Sequence, residues 1–266
     1  MYEQILENNK NYVQKSFSVK SFANKAKQLC GEHRVVIDSI NYLDKYCPDY
    51  LISRTLLDDL WRNKKHPVHV KILVTFWWGN LSHKNQAPLF YKKVNLDKML
   101  GFQNELTSNL TLINSVESKD KFKIELSKLY NEFKLNTGKY KMKGINTAFF
   151  TKVLQFGIKN DLQPIIADKW STRAVLSDMI SQNFNYRHIF NVSGFTIDEL
   201  KVSFVGSQKV EFEKYYKMIE YFKTRSTALQ IEPLKLEEIM FGISDAMSIA
   251  KNPRVVAQRI LIDRPG

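Results

Sequence analysis

The sequence predicts a mainly α-helical fold with few or no strands. Glycine and proline are sparse, with 10 and 7 residues among 266, and no linker rich in glycine, serine or proline interrupts the chain. Apolar residues recur three and four positions apart through most of its length. This pattern is typical of packed helices with short connections, and the length suffices for one large domain or two closely joined lobes.

The first half of the chain has helical patterns separated by short breaks. Residues 68–78 are apolar on nearly all sides, which predicts a buried helix that ends at Gly79 and Asn80. A basic, loop-like segment is expected over 81–95. The helices predicted in this half fall within residues 1–30, 33–63, 68–78, 96–113 and 119–135.

The second half alternates helices with one irregular segment. Residues 183–210 are the least regular, and short strands are expected at 189–192 and 201–205. Residues 251–266 are expected to form a basic C-terminal tail. One helix is predicted to start near Thr147. Further helices are predicted over residues 170–182, 209–229 and 233–241.

The charge is the strongest feature of the composition. Forty lysine and arginine residues against 27 acidic ones give a formal net charge of +13, and the isoelectric point is near 9.5. Such an excess favours a polyanionic partner, nucleic acid first, with solubility alone as the alternative. An aromatic content of 12% is compatible with stacking on bases.

Several classes of protein and site are not expected. The longest apolar stretch, 70–78, is too short to span a bilayer, and the acidic start of the chain lacks the apolar core of a signal peptide. We therefore expect a cytoplasmic protein without a membrane partner. Cys30 and Cys47 are too few for an iron–sulfur cluster, and His66 and His69 lack a visible third ligand, so no metal or cofactor is expected.

The stretch from residue 143 to 173 carries the most chemistry. Gly144 lies in a short turn before a helix, where a missing Cβ lets backbone amides approach an anion closely. The helix N-terminus near Asn146 and Thr147 adds partial positive charge, and Lys143 flanks the turn. This layout predicts a clamp for phosphates that does not read sequence. An ordinary helical hairpin is the alternative.

Asp168 follows the apolar run Pro-Ile-Ile-Ala and precedes Lys169 and Arg173. One interpretation is the N-cap of a helix that starts at Trp170. A second is catalytic, because a carboxylate at this place could stabilise an oxocarbenium-like sugar and orient a water molecule or an amine. The two interpretations are compatible, since a cap would fix the carboxylate in place.

The pattern GINTAFFTKVLQF, followed after a loop by PIIADK, resembles the helix-hairpin-helix DNA glycosylases of the 8-oxoguanine glycosylase class. The compact bacterial group with that fold is the most similar. FWWGN at 76–80 is similar to a segment of this group, and the Tyr-rich helix and Pro turn at 215–241 look like its terminal helix pair. The matches extend over residues 68–242.

The resemblance implies a fold of two helical lobes with a cleft between them, formed by residues 1–250, with hairpin and catalytic aspartate within 140–175. It implies double-stranded DNA with a modified base as partner, the base being flipped out of the duplex. Asp168 would be catalytic. The DNA backbone would bind at Lys143, Gly144, Asn146, Thr147, Lys169 and Arg173. The base pocket would include Trp77, Trp78, Phe149 and Phe150, of which the two phenylalanines could equally be core.

Two positions depart from the family pattern. Asn146 replaces the second glycine of the hairpin, and asparagine tolerates a left-handed conformation. Ala148 stands where the bifunctional members have a lysine. Lys152 lies one helical turn further on the same face and resembles the lysine of the archaeal branch. It would be the nucleophile only as a neutral amine, and a phosphate-binding or structural lysine is the alternative.

Two functions therefore remain as hypotheses. The first is a DNA N-glycosylase, with or without abasic-site lyase activity, that removes an oxidised purine or a modified phage base in repair or anti-phage defence. The second is a non-catalytic module on the same fold that binds modified DNA. The sequence does not predict which base is recognised, or the oligomeric state.

Overall fold

The fold is mainly α-helical, as predicted. A computed structural model of the chain describes residues 2–81, 87–159, 161–194, 196, 198–207, 210–241 and 252–264. The chain divides into two compact units. Residues 16–161 form the first, here called the N-terminal unit, and residues 1–15 with 162–266 form the second, the C-terminal unit.

The predicted helices and strands occur in the predicted order, with differences at their ends. The structure adds helices at 87–90 and 253–262 and strands at 17–18 and 51–52. In chain order the helices are α1 (Tyr2–Asn8), α2 (Lys20–Cys30), α3 (Arg34–Tyr46), α4 (Arg54–Arg62), α5 (Val68–Trp78), α6 (Ala87–Phe90), α7 (Lys93–Asn114), α8 (Lys119–Lys134), α9 (Thr147–Gly157), α10 (Lys169–Ser181), α11 (Glu211–Leu229), α12 (Pro233–Phe241) and α13 (Pro253–Ile262), with a 3₁₀ turn at Pro48–Tyr50. The strands are β1 (Phe17–Ser18), β2 (Leu51–Ile52), β3 (Phe190–Ser193) and β4 (Lys201–Phe204).

Helix α5 forms the core of the N-terminal unit. All of its residues are buried, as its nearly continuous apolar sequence predicts. Helices α3, α4, α7 and α9 pack around it. Burying each large apolar side chain contributes about 1.5–3 kcal/mol, so this helix is a principal source of stability for the unit.

Helix α5 ends at Trp78, directly before Gly79 and Asn80, as the sequence predicts. Gly79 donates its amide to the carbonyl of Thr75 at 2.9 Å, and Leu81 donates to that of Phe76 at 3.1 Å. Asn80 takes the left-handed conformation, with φ 60°. These bonds satisfy carbonyls at the end of the helix and turn the chain away from its axis.

The segment 81–95 was expected to be loop-like, and part of it is helical. Helix α6 lies within it, and α7 begins at Lys93 rather than near residue 96. Asn95 lies in the added turn, is buried and donates to the carbonyl of Lys143 at 3.1 Å, so a tertiary contact supports the extension of α7 beyond its apolar pattern. Residues 82–86 of this prediction lie outside the described residues.

Helix α10 has the equivalent role in the C-terminal unit, where α1, α12 and α13 pack against it. Helix α13 occupies the segment expected to be a tail. Asn252 caps it by accepting the amide of Arg254 at 3.0 Å, and Val256, Ala257 and Leu261 are buried. The apolar residues three and four positions apart explain this helix, although the arginines between them dominate the composition.

Two small antiparallel sheets complete the fold. Strands β3 and β4 pair with Phe190 opposite Phe204, close to the predicted ranges. Strands β1 and β2 pair over two residues in the N-terminal unit. None of the helices in the described ranges combines the length and apolar content that a membrane-spanning segment requires.

Candidate functional site

The predicted hairpin is a turn at Lys143 and Gly144 that leads into α9. Gly144 has φ 84°, a conformation that costs an L-residue roughly 1–2 kcal/mol, which explains glycine at this position. The turn does not join two helices directly. Helix α8 ends at Lys134, and residues 135–146 carry the irregular backbone between it and α9.

The turn is fixed by a buried asparagine that the sequence analysis did not identify. Asn95 is 4% exposed. Its Nδ2 donates to the carbonyl of Lys143 at 3.1 Å, and its Oδ1 accepts the amide of Lys143 at 3.3 Å. Nδ2 also lies 3.0 Å from the carbonyls of Leu89 and Phe90. A polar residue on the buried face of α7 is the signal that could have predicted this role.

Two lysines support the hairpin from the neighbouring helices. Lys98 Nζ donates to the carbonyl of Lys141 at 2.8 Å, and Lys134 Nζ donates to Thr147 Oγ1 at 2.9 Å. Lys143 and Asn146 are exposed. Asn146 is extended, with φ −107°, so the left-handed conformation expected there is wrong and Gly144 alone provides the positive φ of the turn.

Replacing Gly144 with alanine tests this turn. We expect the free energy of unfolding to fall by roughly 1–2 kcal/mol, because a Cβ is strained at φ 84°. The measurement is urea denaturation. Gly101 within α7 is the matched control, because a Cβ there would meet no atom within 4 Å. Gly101→Ala should leave stability equal or higher, and an equal loss in both variants would contradict the role of Gly144.

Lys152 lies inside the N-terminal unit. It is 5% exposed, its Nζ donates to the carbonyl of Ala148 at 3.0 Å, and it lies 5.9 Å from the centroid of the Phe149 ring. A Cβ on Gly79 would come within 2.8 Å of Lys152 Cδ, so the stem of the lysine passes directly over this glycine. The amine is therefore held in the protein interior rather than presented at an open surface.

The four aromatic residues predicted for a base pocket are all buried in the same unit. Trp77 and Phe150 have no exposed surface, so they are core residues and cannot stack on a base in this conformation. Trp77 Nε1 donates to the hydroxyl of Tyr91 at 2.5 Å. Phe149 packs edge to face against Phe76, with 5.6 Å between ring centroids.

Trp78 has a polar atom without a partner. Its ring packs edge to face on Phe156 at 5.6 Å, and the Arg54 guanidinium lies 5.4 Å from its centroid. Its Nε1 is buried, and the described residues offer it no hydrogen-bond acceptor. Trp78 is thus the aromatic residue of the predicted set that retains an unused donor.

Asp168 caps helix α10, which confirms its structural interpretation. Its Oδ1 accepts the amides of Trp170 and Ser171, both at 2.9 Å, and its backbone is extended. The side chain is half-buried. Two charge-assisted bonds to backbone hold the carboxylate in one orientation, and the helix N-terminus stabilises its negative charge.

A cluster of cations and one indole surrounds the start of α10. The Arg254 guanidinium stacks 3.1 Å from the centroid of the Trp170 ring, Lys169 Nζ lies 5.1 Å from it, and the Arg173 guanidinium 5.3 Å. Burial lowers the pKa of Arg254 to about 10, while the charge of Asp168 acts in the opposite direction. Arg254 therefore lies near the candidate carboxylate of Asp168, although the sequence places this arginine in the predicted C-terminal tail.

Lys169 and Arg173, both predicted to bind the DNA backbone, differ in accessibility. Lys169 is exposed, and partial desolvation lowers its pKa, helped by the charges of Arg173 and Arg254. Arg173 is 2% exposed and donates Nη2 to the carbonyl of Leu200. The contact with the Leu200 carbonyl is structural, because the side chain is buried. A direct bond from Arg173 to a DNA phosphate would require this part of the chain to move.

The first turn of α10 is supported by a buried acid. Ser171 Oγ donates to Glu237 Oε1 at 3.0 Å, and Glu237 is 1% exposed. Ser171 therefore connects α12 to the same turn whose amides hold Asp168. Glu237 was not singled out from the sequence, where a glutamate in an amphipathic helix has no distinguishing signal.

The predicted site residues are divided between the two units. The hairpin, Lys152 and the aromatic residues belong to the N-terminal unit, and Asp168, Lys169 and Arg173 to the C-terminal unit. Among the described residues, no three His, Cys, Asp or Glu side chains are grouped to hold a metal ion. No protein-family model matches the chain, and no curated protein or solved structure is significantly similar to it.

Proposed function

We propose that the protein is a DNA N-glycosylase that excises a modified base from double-stranded DNA, as the sequence resemblance implies. The observation that carries the proposal is the fixed carboxylate of Asp168, half-buried at a helix N-terminus beside Arg254. Such a group is preorganised to stabilise the positive charge that develops on the sugar as the glycosidic bond breaks.

The proposed reaction uses water as the nucleophile. The bond between C1′ and the base nitrogen breaks, and the base leaves with the electron pair and takes up a proton. The water oxygen bonds to C1′ and loses its proton, leaving an abasic site. Asp168 orients the water and balances the charge on the sugar. Attack by Lys152 is less well supported, because its amine is buried and donates to the Ala148 carbonyl.

Binding of the duplex would be mainly electrostatic. The formal net charge of +13 favours a polyanion, and the hairpin offers exposed Lys143 beside a turn whose geometry Asn95 fixes. Contacts of this kind neutralise phosphates and release counterions, so affinity should fall steeply with salt. They position a duplex without reading its sequence.

A second candidate is a module that binds modified DNA without cleaving it. The observation in its favour is the absence of an accessible lysine at the position of the family nucleophile, where Ala148 stands, together with the buried amine of Lys152. This candidate retains the hairpin and the charge but assigns Asp168 only the role of a helix cap.

The deciding experiment measures base release. The protein is incubated with duplexes that carry oxidised purines and with modified phage DNA, and free base and alkali-labile sites are quantified. We expect release from at least one substrate, without a covalent adduct after borohydride reduction, because Lys152 is buried.

The alternatives give different results in the same assay. Binding to modified DNA without any base release would contradict the glycosylase and favour the binding module. A borohydride adduct that Lys152→Met abolishes would show that the lysine is the nucleophile and would contradict the water mechanism. Lys128→Met, which removes an exposed lysine paired with Glu125 on α8, is the control for loss of one positive charge.

A further inference from the structure

A basic cavity in the N-terminal unit takes no part in the proposed reaction. Its volume is about 620 Å³, within the ~300–1,000 Å³ typical of small-molecule sites. No aspartate or glutamate is among the described residues that line it. The basic residues that do line it are Arg34, Arg62, Lys64, Lys65, Lys71 and Lys159.

Acidic residues outside the lining neutralise only part of this charge. Lys64 and Lys65 are exposed, and neither forms an ion pair within the described part of the chain. Lys71 likewise has no carboxylate partner there. The cavity therefore keeps a net positive potential, which attracts anions. The ion pairs at its edge are Arg62–Asp58, Lys159–Asp58 and Arg34–Asp38.

Lys71 differs from the other basic residues that line the cavity, because it lies on the buried helix α5. It is 7% exposed, and its Nζ donates to the carbonyl of Trp61 at 3.1 Å. An ammonium has three donors, and the described residues supply only this one acceptor. Burial lowers the pKa of Lys71 to about 8, so most of it stays charged at pH 7. The Trp61 ring, whose centroid lies 5.8 Å from Nζ, is its other partner among the described residues. A buried charge with only these two partners is costly unless a ligand compensates it.

The other walls of the cavity suit an organic group attached to the anion. Pro67, Leu110 and Phe156 contribute apolar surface. Asn104 and Thr107 on α7 contribute polar side chains. A site for inorganic phosphate would need only the cations, whereas apolar walls together with amide and hydroxyl groups match a base and a sugar.

We propose that this cavity binds a nucleotide, with Lys71, Lys64 and Lys65 contacting its phosphate. The nucleotide is either free or the 5′-phosphorylated end of a DNA strand, since both present the same phosphate monoester. Neither Asp168 nor the hairpin lines the cavity, so this inference does not depend on the glycosylase proposal.

Isothermal titration calorimetry with defined ligands tests the proposal. The ligands are deoxyadenosine monophosphate, inorganic phosphate, and a short DNA strand with a 5′-phosphate or a 5′-hydroxyl. Saturable binding of the mononucleotide that the 5′-phosphorylated strand does not exceed would indicate a free ligand. Tighter binding of the 5′-phosphorylated strand than of the mononucleotide and the 5′-hydroxyl strand would indicate a strand end. Binding of neither, or inorganic phosphate bound as tightly as the nucleotide, would overturn the proposal.

Variants locate the binding in this cavity. Lys71→Met, which keeps the stem and removes the charge, should weaken nucleotide binding by about tenfold or more, the scale of a lost charge-assisted hydrogen bond. The variant removes a poorly paired buried charge but also the donor to the Trp61 carbonyl, and because these effects oppose each other its urea midpoint should change little. A folded Lys71→Met protein that binds with unchanged affinity would contradict the assignment.

A matched pair of double variants gives an independent check that leaves α5 intact. Lys64→Gln with Lys65→Gln should weaken binding severalfold. Lys20→Gln with Lys27→Gln removes the same charge from exposed positions of α2 that do not line the cavity and should leave affinity unchanged. Equal losses in the two proteins would mean that binding follows net charge alone and would overturn the site.

Discussion

Asp168→Asn is expected to reduce base release by about 10²–10³-fold while leaving the fold intact. Asparagine caps helices as well as aspartate does, so its side-chain oxygen can still accept the amides of Trp170 and Ser171. The unfolding free energy should change by no more than about 1 kcal/mol, the scale of a carboxylate interacting with a helix dipole. Only the negative charge is lost.

The negative charge of Asp168 is expected to matter because it would face the positive charge that develops on the sugar. In the proposed reaction the transition state carries positive charge on the sugar, and a carboxylate fixed by two backbone amides does not have to reorient when that charge develops. Arg254, stacked on Trp170, acts on the same carboxylate and would partly offset its field. Single-turnover release of free base, measured at saturating enzyme, reports the chemical step directly.

Two further variants separate chemistry from capping. Asp168→Ala removes both the charge and the cap, and should lose activity together with roughly 1 kcal/mol of stability. Ser53→Ala removes the cap of α4, where Ser53 accepts the amide of Leu56 at 3.0 Å, and should lose similar stability but no activity. Full base release by Asp168→Asn would show that Asp168 is only a cap and would contradict the proposed mechanism.

Structural features that depend on residues close together in sequence could be predicted. Helix α5 and its end at Gly79 and Asn80 follow from a continuous apolar run before a glycine. Asp168 as a helix cap follows from its place before Trp170. In each case the determining contacts lie within about one turn of the residue, where spacing alone specifies which groups meet.

Features that depend on tertiary contacts could not be predicted in the same way. Trp77 and Trp78 are adjacent aromatic residues; the helix end at Gly79 and Asn80 favours Trp78 for a pocket, but only the packed structure distinguishes a satisfied core residue from one with an unused donor. Asn95 meets the backbone of Lys143, 48 residues away in sequence. Arg254 meets Trp170 because α13 packs on α10.

The largest effect on stability is expected from the buried ion pair between Asp178 on α10 and Arg225 on α11. Asp178 is fully buried, and its Oδ2 accepts from Arg225 Nε at 2.7 Å and from the hydroxyl of Tyr221 at 3.1 Å. Arg225→Met should reduce the unfolding free energy by about 3–5 kcal/mol, because it leaves the carboxylate buried without a counterion.

A double-mutant cycle shows whether this loss comes from the unpaired charge or from packing. In Asp178→Leu with Arg225→Met both charges are replaced by apolar groups of similar size, and such replacements are often neutral or stabilising. We therefore expect the double variant to be more stable than Arg225→Met by about 2 kcal/mol or more. Recovery would be incomplete, since the Tyr221 hydroxyl loses its acceptor.

The cycle is measured by urea denaturation, with Lys128→Met as a control, because it removes the exposed member of the ion pair with Glu125. Lys128 is exposed, and the 17% of the Glu125 side chain that is exposed lets water reach its carboxylate, so loss of the pair should change stability little. Glu3 also approaches Arg225, at 3.1 Å, but it is partly exposed and can be solvated when the arginine is removed. If the double variant were as unstable as the sum of the single variants, the two residues would act independently, and the buried pair would not be a coupled unit joining α10 to α11.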